Sequence, residues 1–241
     1  MQQSCLGIVL HYVKFSESSI IAHIYTREFG RQSFMVSGIK GKRSKNKLSF
    51  FQPLSLVSIE AYMKQTRDLH KVKEIRIDEA YQSIPFDVYK GTQALFLAEF
   101  LYKTLREEEA NPPLFEFLKQ SLLILDISTE ATANFHLYFI AHLSKYFGFF
   151  PNNNFCERNL FFNMKKAQFV SFEGGDYILG RQESVCISKL LAGNYSEMGQ
   201  VKISGKLRMD LLKYLIEYYQ IHFDKKIHIN SLAVLEELFH S

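Results

Sequence analysis

Tryptophan is absent from this 241-residue chain, and cysteine occurs only at Cys5, Cys156 and Cys186, with no CxxC pair. So sparse and odd a set argues against a disulfide framework and for a reducing compartment. There is no HExxH and no Cys/His quartet, so the familiar zinc patterns are missing. His136 and His142 are six residues apart, a spacing that does not align them on one helix face, and His222 and His228 read as surface or core histidines. GxSxG, Walker A and GxGxxG loops are lacking too. The acidic runs Glu107-Glu108-Glu109 and Glu236-Glu237 read as solvated helix positions, so nothing points to an enzyme. No apolar run reaches about 18 residues, so no spanning helix is expected. The start, Met1-Gln2-Gln3-Ser4, lacks the basic region and apolar core of a signal peptide. The expectation is a cytoplasmic protein with no catalytic residue, no cofactor, no metal and no membrane association.

What the chain has is a hydrophobic content of 47%, 22 phenylalanines and 13 tyrosines, enough for substantial cores and, at this length, two domains. Its net charge of +4 is unevenly spread. Residues 1–80 hold 13 Lys/Arg against 7 Asp/Glu, whereas residues 81–241 hold 16 against 18. An anionic partner is therefore expected at the N-terminal portion.

That portion reads as β throughout. Residues 5–13, 19–25, 32–36, 54–62 and 69–77 are apolar or alternating runs of strand length, with a turn at Thr26-Arg27-Glu28-Phe29-Gly30. Five short strands with no helical period between them predict a small barrel. A five-stranded oligonucleotide-binding (OB-fold) barrel fits the count, and an SH3-like barrel fits almost as well. Near Ser83-Ile84-Pro85 the period becomes helical: Leu97, Phe100/Leu101 and Thr104/Leu105 lie on one face. Helices follow over 115–125 and 129–147, the latter closed by Gly148, then over 183–191 and 207–223. Asn230 or Ser231 caps a last helix. Between them, Phe169–Phe172 and Tyr177–Leu179 flank Glu173-Gly174-Gly175-Asp176 and predict a small hairpin inserted near 160–180. The fold class is thus α+β, with a barrel domain over 1–80 and a helical domain over 81–241.

The candidate site is the run from Ser37 to Lys47. From Lys40 it carries Lys40, Lys42, Arg43, Lys45 and Lys47, no acid, and two turn-forming glycines frame its start. Cations on a loop set in a sheet suit a polyanion backbone, and Arg27 and Arg31 add charge nearby. A plain solubilising loop has the same composition, and that alternative stays open. The aromatics Tyr12, Phe15, Tyr25, Phe34, Phe50, Phe51 and Tyr62 divide between core and base stacking, and Phe50 and Phe51 are adjacent, so one of them faces out of an extended chain.

Gly7-Ile8-Val9-Leu10, Thr26 with Gly30, and above all Gly38-Ile39-Lys40-Gly41-Lys42-Arg43-Ser44 followed by Gln52-Pro53-Leu54 resemble the RecO recombination mediators of bacteria. The order of barrel, helices, inserted hairpin and closing Ser231-Leu232-Ala233-Val234-Leu235 is similar too. The resemblance implies an oligonucleotide-binding barrel joined to a helical domain. It implies binding of single- and double-stranded DNA and annealing of complementary strands. It also implies engagement of the acidic tail of single-strand-binding protein and, with RecR, help in loading RecA. Many members carry a four-cysteine zinc site after Gly-x-x-Pro, here Gly148-Phe149-Phe150-Pro151. This chain keeps Cys156 there but follows it with Glu-Arg-Asn, so zinc is not expected and the hairpin must be held by its aromatics. Lys202, Lys206 and Arg208 are candidates for the rim of a pocket for the acidic tail. Two other classes remain beside the DNA mediator: an RNA-binding barrel protein of translation or ribosome assembly, and a protein-interaction scaffold.

Overall fold

The computed structural model describes residues 1–39, 47–63, 68–106, 109–129 and 132–240. By its packing the chain divides into two compact units, residues 1–127 with 229–231, and residues 128–228 with 232–241.

In the first unit, β1 (Gln2–Lys14), β2 (Ser19–Thr26), β3 (Gly30–Ser37), β4 (Leu56–Tyr62) and β5 (Leu69–Glu79) close into a barrel of order β1-β2-β3-β5-β4. Every pairing is antiparallel except β3 with β5, which run parallel from Ser33 opposite Leu69 to Met35 opposite Lys71. Closure joins every strand to two neighbours and turns one face of the sheet inward. The dry face supplies Val9, Ile20, Ala22, Ile24, Phe34, Val36, Ile59 and Ile75, with Phe51 buried among them from a 3₁₀ turn over Lys47–Phe51. At Gly7 a Cβ would lie 2.5 Å from Ile24 Cγ2, so only glycine lets β1 pass the wall so closely. Thr26 Oγ1 donates to Gly30 O (2.8 Å) and accepts from Phe29 N (3.1 Å), which fixes the β2–β3 turn.

Two helices complete this unit: α1 (Val88–Thr104), capped by Asp87 accepting from Lys90 N, and α2 (Pro112–Ile127), capped by Asn111 accepting from Leu114 N. Asp126, at the end of α2, accepts from the backbone N–H of Gln82, Ser83 and Ile84 at 2.7, 2.8 and 2.9 Å. Residues 229–231 return to this unit, where Glu99 of α1 accepts from Asn230 N and Ser231 N.

The second unit is built around α3 (Phe135–Leu143), an apolar helix buried along Phe135–Ala141 and at Leu143. It packs with α4 (Arg181–Ala192) and α5 (Gly205–Phe223), and α6 (Leu232–His240) lies on α5. The inserted hairpin is present, but one turn earlier than the residue pattern predicts. Its strands are β6 (Phe161–Asn163) and β7 (Gln168–Val170). Asn163 Oδ1 accepts from Lys166 N at 2.8 Å, and Ala167 takes a left-handed φ of 52°, so Asn163–Ala167 makes the turn. The glycines at 174 and 175 serve a second bend, which brings Ile178 back to Asn163 on the free side of β6. The stretch expected as one helix over 129–147 is α3 flanked by 3₁₀ turns at 132–134 and 144–147, and it ends at Gly148 with φ 80°.

Candidate nucleic-acid interface

Of the basic run, Lys40, Lys42, Arg43 and Lys45 lie outside the described residues. The chain enters that run beside the β1–β2 hairpin, where Ile39 N donates to Ser18 O at 3.1 Å. It leaves at Lys47, whose ammonium donates to Ser37 O at 3.3 Å. Both ends of the run are thus anchored at one end of the barrel.

The two arginines on the wall make contacts within the fold. Arg27 Nε lies 3.0 Å from Glu116 Oε1 in a half-exposed pair. Arg31 donates to Tyr102 O (2.9 Å) and Leu105 O (2.8 Å), and its guanidinium carbon sits 4.5 Å from the Tyr102 ring centre. It therefore satisfies carbonyls at the C-terminal end of α1, where a cation also complements the helix dipole. His11 and His23 lie against the same ring at 4.8 and 5.2 Å. Burial, then Lys103 for His11 and Arg31 for His23, lowers both imidazole pKa values, although Glu99 pulls His11 the other way. This part of the outer wall of β1, β2 and β3 is thus occupied by Tyr102.

The aromatics sort clearly. Tyr25, Phe34 and Phe51 are core, Phe50 is half-buried against it, and Tyr12, Phe15 and Tyr62 are 41, 59 and 50% exposed. A depression of about 900 Å³ opens beside β3 and β5, lined by Gln3, His23, Arg31, Gln32, His70 and Arg106 among others. In its wall His70 Nε2 meets Gln32 Oε1 at 3.0 Å, and burial lowers the pKa of the imidazole despite nearby Asp68.

In the second unit, Lys202 and Arg208 border a shallow hollow of about 400 Å³ with Asn134 and Ile203, and Lys206 is exposed in the first turn of α5. The Arg208 side chain is braced, with Nε donating to Asn134 Oδ1 (3.0 Å) and a terminal nitrogen donating to Ile203 O (2.9 Å). Among the described residues no group of three or more His, Cys, Asp or Glu is placed to hold a metal ion. Near Cys156, Asn154 accepts from Phe169 N (2.8 Å) and donates to Phe169 O (3.1 Å), while Phe155 and Phe162 pack on the Phe169 ring. These contacts hold the hairpin with side-chain amide and aromatic groups. Chelator treatment is accordingly expected to leave the melting temperature unchanged, and one zinc per chain in metal analysis would overturn that.

A closed five-stranded barrel of this strand order, with a parallel β3–β5 contact and a basic surplus, defines an oligonucleotide-binding-fold protein. Comparison with known proteins is more specific. Residues 1–81 match the family model "Recombination protein O N terminal" and residues 85–230 match "Recombination protein O C terminal". The DNA repair protein RecO of Phocaeicola vulgatus is 38% identical over 240 residues, covering 99% of this chain and all of that protein. The protein of the same name from Bacteroides fragilis is 38% identical over 242 residues, and that from Flavobacterium psychrophilum 34% over 240, with the same coverage. The chain belongs to the RecO family of DNA repair proteins.

Proposed function

We propose that this chain is a recombination mediator. It binds single- and double-stranded DNA, anneals complementary strands and, with RecR, helps load RecA on DNA coated by single-strand-binding protein, acting in the cytoplasm and without catalysis of its own. The observation that carries the reading is the closed barrel with a surplus of six positive charges in residues 1–80, in a chain that matches the RecO family along its length. Residues 1–80 are the DNA-binding domain in this reading, and residues 81–241 carry the partner contacts. Lys40, Lys42, Arg43, Lys45 and Lys47 contact phosphates, and Arg27 and Arg31 add their charge to the field from within the wall. The hollow beside Lys202, with Lys206 and Arg208 near it, takes the acidic tail of single-strand-binding protein, the cations meeting its carboxylates. A strand-annealing assay with and without single-strand-binding protein tests the whole. Failure to anneal, or preference for structured RNA over single-stranded DNA, would refute it.

The phosphate contacts carry their own prediction. Each releases counterions, so affinity for single strands should fall with a log–log salt slope of roughly −0.7 per contact. Replacing Lys42 and Arg43 by alanine should flatten the slope by about 1 to 1.5 and weaken all sequences alike. Titrations at several salt concentrations check it, and an unchanged slope in a folded double mutant would move the DNA site elsewhere.

A further inference from the structure

On its β4 side the β1–β2 hairpin runs past the last β1–β4 pair, Ile8 with Leu56, while on its β3 side it stays paired out to Ser19 with Ser37. Its tip is closed by Phe15 N and Ser16 N donating to Ser19 O at 3.0 and 3.1 Å, and Phe15 sits there with more than half of its surface in water. Tyr12 and Lys14 are two residues apart on β1, facing the same side, opposite Ala22 and Ile20. The Tyr12 ring stands edge-on to Phe51, centres 6.4 Å apart, so its inner edge is fixed by the plug of the barrel while 41% of its surface stays exposed. Leu48, also exposed, lies on the 3₁₀ turn that carries Phe51, and Lys47 begins that turn with its ammonium at Ser37, which pairs with Ser19 at the hairpin tip. Two exposed rings and two ammonium groups therefore share one end of the barrel.

Aromatic rings this exposed leave apolar surface in water, and the neighbouring charges select what can cover it. A chain whose monomers alternate a flat apolar face with a negative charge answers both features, and single-stranded nucleic acid is such a chain. A duplex hides its faces in its own stack. The more usual platform on strands β2 and β3 is taken up at His23 and Arg31 by Tyr102. We propose that Tyr12 and Phe15 are a stacking platform for unpaired bases, with Lys14 and Lys47 taking the flanking phosphates. The proposal rests on the nucleic-acid reading above and specifies which part of a single strand the barrel grips.

The absence of tryptophan makes the test direct. In Phe15→Trp the only indole reports from the hairpin tip, and stacking on an oligothymidylate should quench it. An abasic oligomer with the same phosphates should bind without that quench. Independently, Phe15→Ala should weaken oligothymidylate binding by about tenfold, within the range known for single base stacks, and leave abasic-strand binding unchanged. Phe15 is the cleaner site, since Tyr12 also packs on Phe51 and its removal would disturb the plug. Equal loss on both strands, or no loss on either while the native protein binds, would overturn the platform and leave the DNA-binding reading intact. A native protein that binds neither strand would overturn both. A Phe15→Ala protein that dissociates from a dimer to a monomer in sedimentation, with unchanged strand affinity, would assign the patch to a second copy of the chain and refute the proposal.

Discussion

Asp126→Ala will destabilise the barrel-containing unit by roughly 3–5 kcal/mol, or about 10 °C in melting temperature. Asp126 stands in the last turn of α2, where a negative charge is opposed by the helix dipole, and it is only 4% exposed. Burial alone would raise its pKa. The N–H groups of Gln82, Ile84 and Ser83, with the Ser83 hydroxyl, outweigh burial and hold it below the usual value. The carboxylate is therefore a clamp for the chain between β5 and α1. Lys90 completes the clamp from α1, its buried ammonium donating to Asp126 O (2.8 Å) and Ser83 Oγ (2.6 Å). That cation also satisfies a carbonyl at the end of α2. Truncation leaves three donors in a partly closed space with no acceptor, the costly side of the hydrogen-bond asymmetry. Asp126→Asn should retain part of the stability, because one oxygen remains. Urea denaturation of the three proteins checks this, and a loss below about 1 kcal/mol in the alanine variant would show that water replaces the clamp.

The residues that announced the barrel were those whose alternation serves one dry face: Ile20, Ala22 and Ile24 on β2, and Ile59 and Ala61 on β4. Strand ends were harder to read. Gln2, Gln3 and Ser4 are polar, yet they pair with Tyr62, Ala61 and Glu60, because a ladder needs main-chain groups and not apolar side chains. The β3–β5 contact that separates an oligonucleotide-binding barrel from other small barrels joins residues about 36 positions apart, which no local pattern encodes. The hairpin turn was misplaced because Gly174-Gly175 outweighed Asn163, whose side-chain turn with Lys166 has only one asparagine as its signal. At the site, the type of residue was legible and its engagement was not. Arg31 and Arg208 read as cations for a ligand, whereas both are braced within the fold: Arg31 on the distant carbonyls of Tyr102 and Leu105, Arg208 on the distant Asn134 side chain and on Ile203 O five residues before it. Nothing local separates Tyr12 and Phe15 from Tyr25 and Phe34; the difference is that the first two lie past the end of the β1–β4 pairing, where they are exposed.

The second unit will lose stability in mild acid through His136. This imidazole, at the start of α3, has no exposed surface, and burial, reinforced by the charge of Arg208, pushes its pKa from 6.5 to about 3. Between those values the unfolded chain binds a proton that the folded chain refuses, so stability rises with pH across that window. The full contribution is therefore present above about pH 6.5 and is lost progressively towards pH 3, at about 1.4 kcal/mol per pH unit for one group. His142, lowered by burial and Lys145 against opposing hydrogen bonds to the backbone, adds in the same direction. By pH 5 the loss from His136 alone should be about 2 kcal/mol. Denaturant titrations from pH 7.5 to 4.5 would show it as uptake of close to one proton on unfolding, and His136→Gln should remove that uptake. Imidazole NMR of the native protein gives a second reading that does not depend on the variant folding: the ring should stay neutral down to pH 4.5. A ring that titrates near 6.5 in the folded chain would mean that burial and Arg208 do not exclude the proton, and the acid lability would have to come from the carboxylates instead.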